Sequence, residues 1–427
     1  MLDIKFIREN PELVKENNRH KRAEVDIDQL LKLDEERKTI QPELEGLRNE
    51  RNKISKTKPD EMEIAEMRKI GEKIKYLEVK FKELEDGITE MMYKIPNIVH
   101  PSTPVGPDES GNQVLRKVGE IPKFSFQPKE HWELGKEKDL IDNERAAEIA
   151  GARFTYLKGK LAVLQFALIS HAISILTDEK YLAKIIKDNN LNVLPTPFIP
   201  IIPPVMIKPE VFQRMARLEP KEERYYIPSD DVYLIGSAEH TLGPIHMDET
   251  LDEKTIPLRY MGVSLAFRRE AGSYGKDTKG ILRVHQFDKI EMESFSLPEN
   301  SVEEQNFFVA VQEELMKTLK LPYQIVQICT GDMGGPDARQ IDLETWMPGQ
   351  NKYRETHTSD LMTDYQSRRL KTKIRRKDGS LELAHMNDAT AFAIGRTLIA
   401  IMENYQQEDG TILVPEVLRK YVGFEKF

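Results

Sequence analysis

Cysteine is almost missing from this 427-residue chain, where Cys329 stands alone. A lone thiol closes no internal disulfide and builds no multi-cysteine zinc cluster, so no structural zinc is expected and a reducing compartment fits. Its neighbours Ile325, Val326 and Ile328 read as a buried strand, which makes Cys329 a structural residue. Net positive charge is missing too: 63 Lys and Arg stand against 72 Asp and Glu, a formal net charge of -9. No global basic field therefore advertises a nucleic-acid partner, although local patches still bind phosphates. The stretch 198–207 is apolar but short, and Pro200, Pro203 and Pro204 interrupt it, so no membrane span is expected there. The start, Met1-Leu2-Asp3-Ile4, has neither an apolar signal region nor a transit-peptide composition. A soluble cytoplasmic protein is the expectation. No internal repeat and no low-complexity tract is found.

Charge itself is plentiful, at 32% of residues, which suits long solvated helices. The length allows two or three domains. Leu30, Leu33, Arg37, Ile40, Leu44, Leu47, Arg51 and Ile54 step by three and four. After a polar break, Met67, Ile70, Ile74, Leu77, Phe81, Leu84, Ile88, Met91 and Ile95 do the same. That period places one apolar seam on each of two helices. The short connection makes them antiparallel, a hairpin about 40 Å long at ~1.5 Å per residue, spanning about 28–95. Arg37 and Arg51 put charge on the seam, and Pro42 predicts a kink. Arg48, Arg51, Lys53, Lys56 and Lys58 crowd the outer half against only Glu50. They read either as phosphate contacts or as a solvated helix face. Pro96, Pro101 and Pro104 then end the heptads and mark a boundary, giving an N-terminal domain of 1–105 and a second domain of 106–427. The second domain mixes short β-like runs with longer helices, which predicts an α+β fold.

Two segments carry candidate chemistry. In 259–295 a strand ending at Phe267 leads into Arg268-Arg269-Glu270, a Gly-rich charged loop, and a return strand through His285, Phe287 and Glu291. Paired as a hairpin, they bring arginine, carboxylates and an aromatic ring to one surface, where a guanidinium can grip a phosphate. An exposed, charge-laced hairpin gives the same pattern. In 388–405, Ala391, Ile394, Leu398, Ile401 and Tyr405 recur at helical spacing. Arg396 sits in the early turns, where the macrodipole favours anions, so an anionic ligand would account for the cation.

Together these residues resemble the motifs of class II aminoacyl-tRNA synthetases. Phe267-Arg268-x-Glu270 with His285-Gln286-Phe287 is similar to motif 2, Gly395-Arg396-Thr397 to motif 3, and Pro204 to the proline of motif 1. Ser237-Ala238-Glu239, Thr330-Gly331-Asp332, Trp346-x-Pro348-Gly349-Gln350 and the long arm resemble the seryl branch of that family. The resemblance spans the whole chain and implies an antiparallel-sheet catalytic domain behind a coiled-coil arm. It implies ATP with Mg²⁺, L-serine, tRNA(Ser) and a homodimer, with tRNA(Sec) as a further acceptor to be examined. By the same resemblance Arg268 and Arg396 are catalytic. The ATP set is Arg268, Arg269, Glu270, Val284, Phe287, Glu355, Thr356, His357, Thr358 and Arg396, with Glu355 and Thr358 on the metal. Serine would meet Ser237, Ala238, Glu239, Arg268, Glu291 and Thr390. The basic cluster Arg48, Arg51, Lys53, Lys56 and Lys58 would meet tRNA. The chain departs from the family pattern in three places, the first around Ala338-Arg339-Gln340-Ile341-Asp342, where Arg339 or Gln340 and Ile341 replace an expected lysine and tyrosine. Thr356-His357-Thr358-Ser359-Asp360-Leu361 replaces a serine-rich run, and Asp388-Ala389-Thr390 replaces Asn-Gly-Ser. Activation of an amino acid for a different acceptor, or a non-catalytic RNA-binding paralogue, are the competing readings.

Overall fold

The computed structural model describes residues 1–56, 60–272, 275 and 277–427. Contacts divide the chain into two compact units, Met1–Ile98 and Val99–Phe427.

In the first unit the heptads form α1 (Ile27–Ile54) and α2 (Glu61–Lys94). Each opens on an aspartate whose carboxylate satisfies first-turn amides: Asp26 accepts from Gln29, and Asp60 with Glu63 makes a reciprocal capping box. Ile40, Leu44, Ile70, Ile74, Leu77 and Leu84 form one apolar cluster between them. Lys73–Glu43 at 2.7 Å and Lys80–Glu36 at 4.0 Å run in opposite sequence directions, as an antiparallel pair requires. Three details differ from the heptad reading. Met92 rather than Met91 is buried, because a straight helix drifts off a strict seven-residue repeat. Pro42 sits inside α1, which continues through it to Ile54. Arg37 is on the seam because it serves a buried anion: its Nη2 lies 2.6 Å from Asp34, whose carboxylate also meets Arg8 Nε at 3.3 Å. Arg51, by contrast, is exposed.

The second unit is built on an eight-stranded sheet. Its strands are β1 (Gln113–Val118), β2 (Ile199–Ile201), β3 (Leu258–Phe267), β4 (Gln286–Ser296), β5 (Tyr323–Gln327), β6 (Arg339–Met347), β7 (Lys352–Thr363) and β8 (His385–Ala393). They lie in the order β1-β5-β6-β7-β8-β4-β3-β2. Every neighbouring pair is antiparallel except β2 beside β3. The helices α3 (His131–Glu137), α4 (Gly159–Leu176), α5 (Ser301–Thr318) and α6 (Ile394–Asn404) contribute residues to the large core shared with the sheet. Helical spacing had extended α6 back through Ala391, but 385–393 is strand and the helix begins at Ile394. A buried strand and a buried helix turn carry the same short apolar run, so periodicity alone does not separate them.

The most apolar segment is α4 and not 198–207. By length and composition it is the one helix among the described residues able to cross a membrane, with mean hydropathy 1.6. It buries Leu161, Leu164, Leu168, Ala172, Ile175 and Leu176 in the core and exposes Val163 and Phe166. Cys329 is fully buried just past the end of β5.

Candidate active site

The centre of the sheet carries the site, and strand register decides which side chains meet there. On β4 and β3 the pairs run from Gln286↔Phe267 to Phe295↔Leu258, so the motif hairpin forms. Arg268 leaves its end with Nε donating to the Gly236 carbonyl at 3.0 Å and its guanidinium over the Phe287 ring at 5.4 Å. Glu270 adopts a left-handed φ of 52°, an uncommon conformation for a non-glycine residue, and its carboxylate lies 3.4 Å from Arg283. Arg268, Glu270, Ile281, Leu282, Val284, Phe287, Glu355, Thr356, Thr390 and Arg396 line one cleft of mixed apolar and charged character. It opens into a second cleft of ≈ 410 Å³ lined by Arg217, Arg224, Glu239, His240, Arg268 and Arg396.

A bulge on β7 adjusts the next pair of residues. Glu355 faces Glu344 while His357 faces Leu343, leaving Thr356 as the extra residue. Without it, residues three apart would point to opposite faces. With it, Glu355 and Thr358 lie opposite Glu344 and Asp342, two residues apart on β6, and so share one face. Arg396, in the first turn of α6, donates from Nη1 to the Glu355 carboxylate at 2.8 Å and to its carbonyl at 2.9 Å. Thr358 Oγ1 lies 3.4 Å from Thr390 Oγ1. Among the described residues no group of three His, Cys, Asp or Glu side chains could hold a metal. A Mg²⁺ at Glu355 and Thr358 would therefore complete its shell with phosphate and water oxygens, as this hard cation commonly does.

Deeper in, polar groups are buried together. Ser237 Oγ donates to Glu291 at 3.0 Å and accepts from Lys289 Nζ at 3.1 Å, and Thr390 Oγ1 donates to Glu291 at 3.2 Å. Lys289 also pairs with the Glu291 carboxylate. The two acids are tuned apart. Burial opposes the charge on Glu239, but cationic neighbours including Lys289 and Arg217 hold its carboxyl below the ordinary range. Burial pushes Glu291 up, with Glu239 adding to the rise against the pull of Lys289. Glu239 Oε2 is buried without a hydrogen-bond partner, an arrangement expected where a ligand supplies the donor. Ala238 is fully buried and packs at the close crossing with Gly262.

Not every residue singled out in the sequence reaches the cleft. Arg269 is exposed, with its guanidinium 5.9 Å above the Tyr225 ring. His357 is buried, its Nδ1 2.8 Å from Thr356 Oγ1 and its ring against Phe392, because the bulge turns it into the core. Burial drives its pKa down to about 3, so it is neutral there. His285 bonds the Arg268 carbonyl at 2.9 Å and braces the hairpin. On the arm, Arg48 is held by Glu78 at 2.8 Å, whereas Arg51, Lys53 and Lys56 are exposed; Lys58 lies outside the described residues. Sequence reasoning assigned no role to Arg217, Arg283 or Lys289, which line the clefts. Lys289 was the one with a signal, two residues from Glu291 on the same strand face.

Comparison with known proteins agrees with this geometry. Residues 1–99 match the model of the seryl-tRNA synthetase N-terminal domain, and 224–405 match the tRNA synthetase class II core domain (G, H, P, S and T). The serine–tRNA ligase of Dictyoglomus turgidum is 39% identical, with 100% of this chain and 99% of that protein aligned. The chain belongs to the seryl-tRNA synthetase family. The serine–tRNA ligase of Thermodesulfovibrio yellowstonii is 40% identical over 100% of this chain and 99% of its own. Among solved structures, seryl-tRNA synthetase from Pyrococcus horikoshii complexed with ATP superposes with a TM-score of 0.88 at 39% identity, covering 100% of this chain and 99% of that one. The cytoplasmic serine–tRNA ligase of Naegleria fowleri in complex with AMP gives 0.84 at 32% identity, covering 100% and 98%. The chain thus has the class II synthetase core with an N-terminal helical arm, and it is an ATP-dependent aminoacyl-tRNA ligase by family.

Proposed function

We propose that this synthetase activates L-serine with ATP to seryl-adenylate and transfers serine to the 3′ end of tRNA(Ser). The observation that carries the amino-acid assignment is the buried hydroxyl and carboxylate cluster of Ser237, Glu291 and Thr390 beside the unpartnered Glu239 oxygen. Glu239 and Glu291 would hold the substrate ammonium, Ser237 and Ala238 would border its carboxylate, and Thr390 would read the side-chain hydroxyl. A site built to pair a hydroxyl rejects alanine, because its own buried polar groups are then left unpaired.

The same reading places adenine against Phe287 and Val284, with Glu270 accepting from the exocyclic amine. Arg268 lies where the two clefts meet, between the amino-acid and nucleotide positions. Serine's carboxylate oxygen attacks the α-phosphorus, the bond to the β-phosphate oxygen breaks, and pyrophosphate leaves. Arg268 stabilises the charge on the α-phosphoryl oxygens, and Arg396 neutralises the far end of the triphosphate. Glu355 and Thr358 would hold a Mg²⁺ ion, which would supply charge neutralisation to the triphosphate. A terminal ribose hydroxyl of the tRNA then attacks the serine carbonyl and AMP leaves. Positioning accounts for most of the rate, since little covalent chemistry falls to the protein.

The exposed cations Arg51, Lys53 and Lys56, with Arg48 and Lys58, would meet tRNA phosphates; charging of tRNA(Sec) is a further question for the same assay. A homodimer is supported by exposed apolar side chains at one edge of the sheet and on α4, Ile202 at 89% and Phe166 at 65% exposure. A cytoplasmic setting with no membrane partner completes the reading. Pyrophosphate exchange tests the core of it: strong exchange with serine, weak with threonine and almost none with alanine. No exchange with serine would sink the activity. Deleting residues 30–95 should abolish charging of tRNA while exchange survives.

A further inference from the structure

Beneath the groups assigned to serine lies a second buried layer that the reaction above does not use. Strand register builds it. On β4 and β8, Glu291 is opposite Thr390 and Glu293 is opposite Asp388; on β7, Asp360 is opposite Asp388. Since alternate residues of a strand share a face, the three strands present two rows. The first is Glu291, Thr390 and Thr358, linked at 3.2 and 3.4 Å. The second is Glu293, Asp388 and Asp360, all buried. Both oxygens of Glu293 and one of Asp360 have no hydrogen-bond partner.

A cation enters this carboxyl layer. Arg217, in the segment after the helix Pro209–Arg214, brings its Nη2 to 3.1 Å from Asp388, 3.4 Å from Asp337 and 3.6 Å from Asp360. The same side chain lines the wider cleft with Glu239 and Arg268. Asp360 and Asp388 each lie in a segment where the sequence departs from its family pattern, and they share one guanidinium. An Nη2 amino group has two hydrogens for three carboxylates, so the shortest contact, to Asp388, is the dominant bond.

We propose that Arg217 is a positioning and specificity-determining residue for the amino acid. By clamping Asp388 it fixes Thr390, two residues along the same strand face, and so sets the discrimination between a small hydroxyl-bearing amino acid and its deoxy analogue. This rests on the assignment of Thr390 to the substrate hydroxyl. Removing the cation leaves the buried Asp388 carboxyl group without its 3.1 Å donor, beside the buried Glu293 and Asp360. The strand that carries Thr390 stays paired on both sides, but the Asp388 side chain on it loses its anchor.

The test is amino-acid-dependent pyrophosphate exchange with the full-length enzyme, serine and alanine being titrated separately and ATP in parallel. Arg217→Gln should raise the KM for serine by about tenfold to a hundredfold, as loss of a charge-assisted hydrogen bond predicts, and leave the KM for ATP within about twofold. The ratio of serine to alanine kcat/KM should fall by about tenfold or more. Asp388→Ala should show the same split, and Asp388→Asn, which keeps an oxygen acceptor, should recover most of the loss. The double variant Arg217→Gln, Asp388→Ala should be no worse than the poorer single, since both remove one interaction. An unchanged serine-to-alanine ratio, a parallel rise in both KM values, or additive losses in the double variant would overturn the proposal. Should Arg217→Gln fail to fold, Asp388→Ala against Asp388→Asn decides alone. Absence of serine exchange in the parent enzyme defeats the serine assignment itself; normal exchange with an unaffected Arg217→Gln defeats only this inference.

Discussion

Gly280 offers a sharp test of how the return of the motif 2 loop is held. It sits at φ +72°, and a β-carbon there would lie 2.0 Å from His131 Nε2. The imidazole has nowhere to move. It is buried, its Nδ1 lies 3.2 Å from Glu403, and its own backbone N–H donates to the same Glu403 oxygen at 3.1 Å. The other Glu403 oxygen accepts from the Gly349 amide at 2.9 Å. Because the Ile281 amide donates to Nε2 at 3.1 Å, the ring is the Nδ1–H tautomer and its acceptor faces the loop. Gly280→Ala therefore combines two penalties. The left-handed backbone costs about 1–2 kcal/mol. Displacing residue 281 strands a buried amide donor, worth about 1–3 kcal/mol. The sum is about 2–5 kcal/mol, compared with about 1–2 for Gly379→Ala. Gly379 has φ +85° and nothing within 4 Å, so it pays only for the backbone. Denaturant melts of the two variants measure the difference, and ATP titration of pyrophosphate exchange measures its consequence. Ile281 and Leu282 line the nucleotide cleft, so KM for ATP should rise about tenfold or more in Gly280→Ala while KM for serine moves less. Equal destabilisation by the two alanines, or an unaltered KM for ATP, would refute the clamp.

Three further outcomes are expected. Arg259 is fully buried, forked onto Glu304 at 2.7 and 3.0 Å and onto the carbonyls of Leu194 and Thr196 at 2.8 Å. Arg259→Ala should lose about 3–5 kcal/mol in a urea melt, because it strands a buried carboxylate; replacing both partners by apolar residues should lose less. His171 and His357 are depressed by burial to about 4 and about 3. On unfolding they take up protons below their ordinary pKa of about 6.5, so stability falls as pH drops from about 6.5 toward 4. His357→Asn should flatten that slope in melts at several pH values, and an unchanged slope would count against a buried neutral ring. Phe166→Asp with Ile202→Asp should shift the sedimentation coefficient to that of a monomer if these exposed apolar groups meet a second copy.

Legibility followed the physics of each signal. The arm was readable because a 3.5-residue period over eight turns has no other common cause, although Arg51 lies off the seam and the last buried position is Met92, not Met91. The hairpin bearing Arg268 and Phe287 was readable because strand alternation and a Gly-rich loop are local. The sheet order was not, since β4 lies between β3 and β8 and nothing local in the sequence encodes which distant strand is adjacent. The start of α6 slipped into β8 for a related reason: in a strand buried on both faces the apolar residues cease to alternate.

The bulge at Thr356 shows most directly what sequence cannot supply. Parity counted along β7 separates Glu355 from Thr358 and groups Glu355 with His357. One extra residue reverses both relations, placing Glu355 and Thr358 on one face and turning His357 into the core against Phe392. Arg217 is the complementary case. It lies in an irregular segment with no periodic signal, and its three aspartates come from residues 337, 360 and 388. Each was legible singly as an acidic residue or a departure from pattern. Only the register of β7 against β8 makes Asp360 and Asp388 neighbours, and only then does Arg217 between them acquire a function.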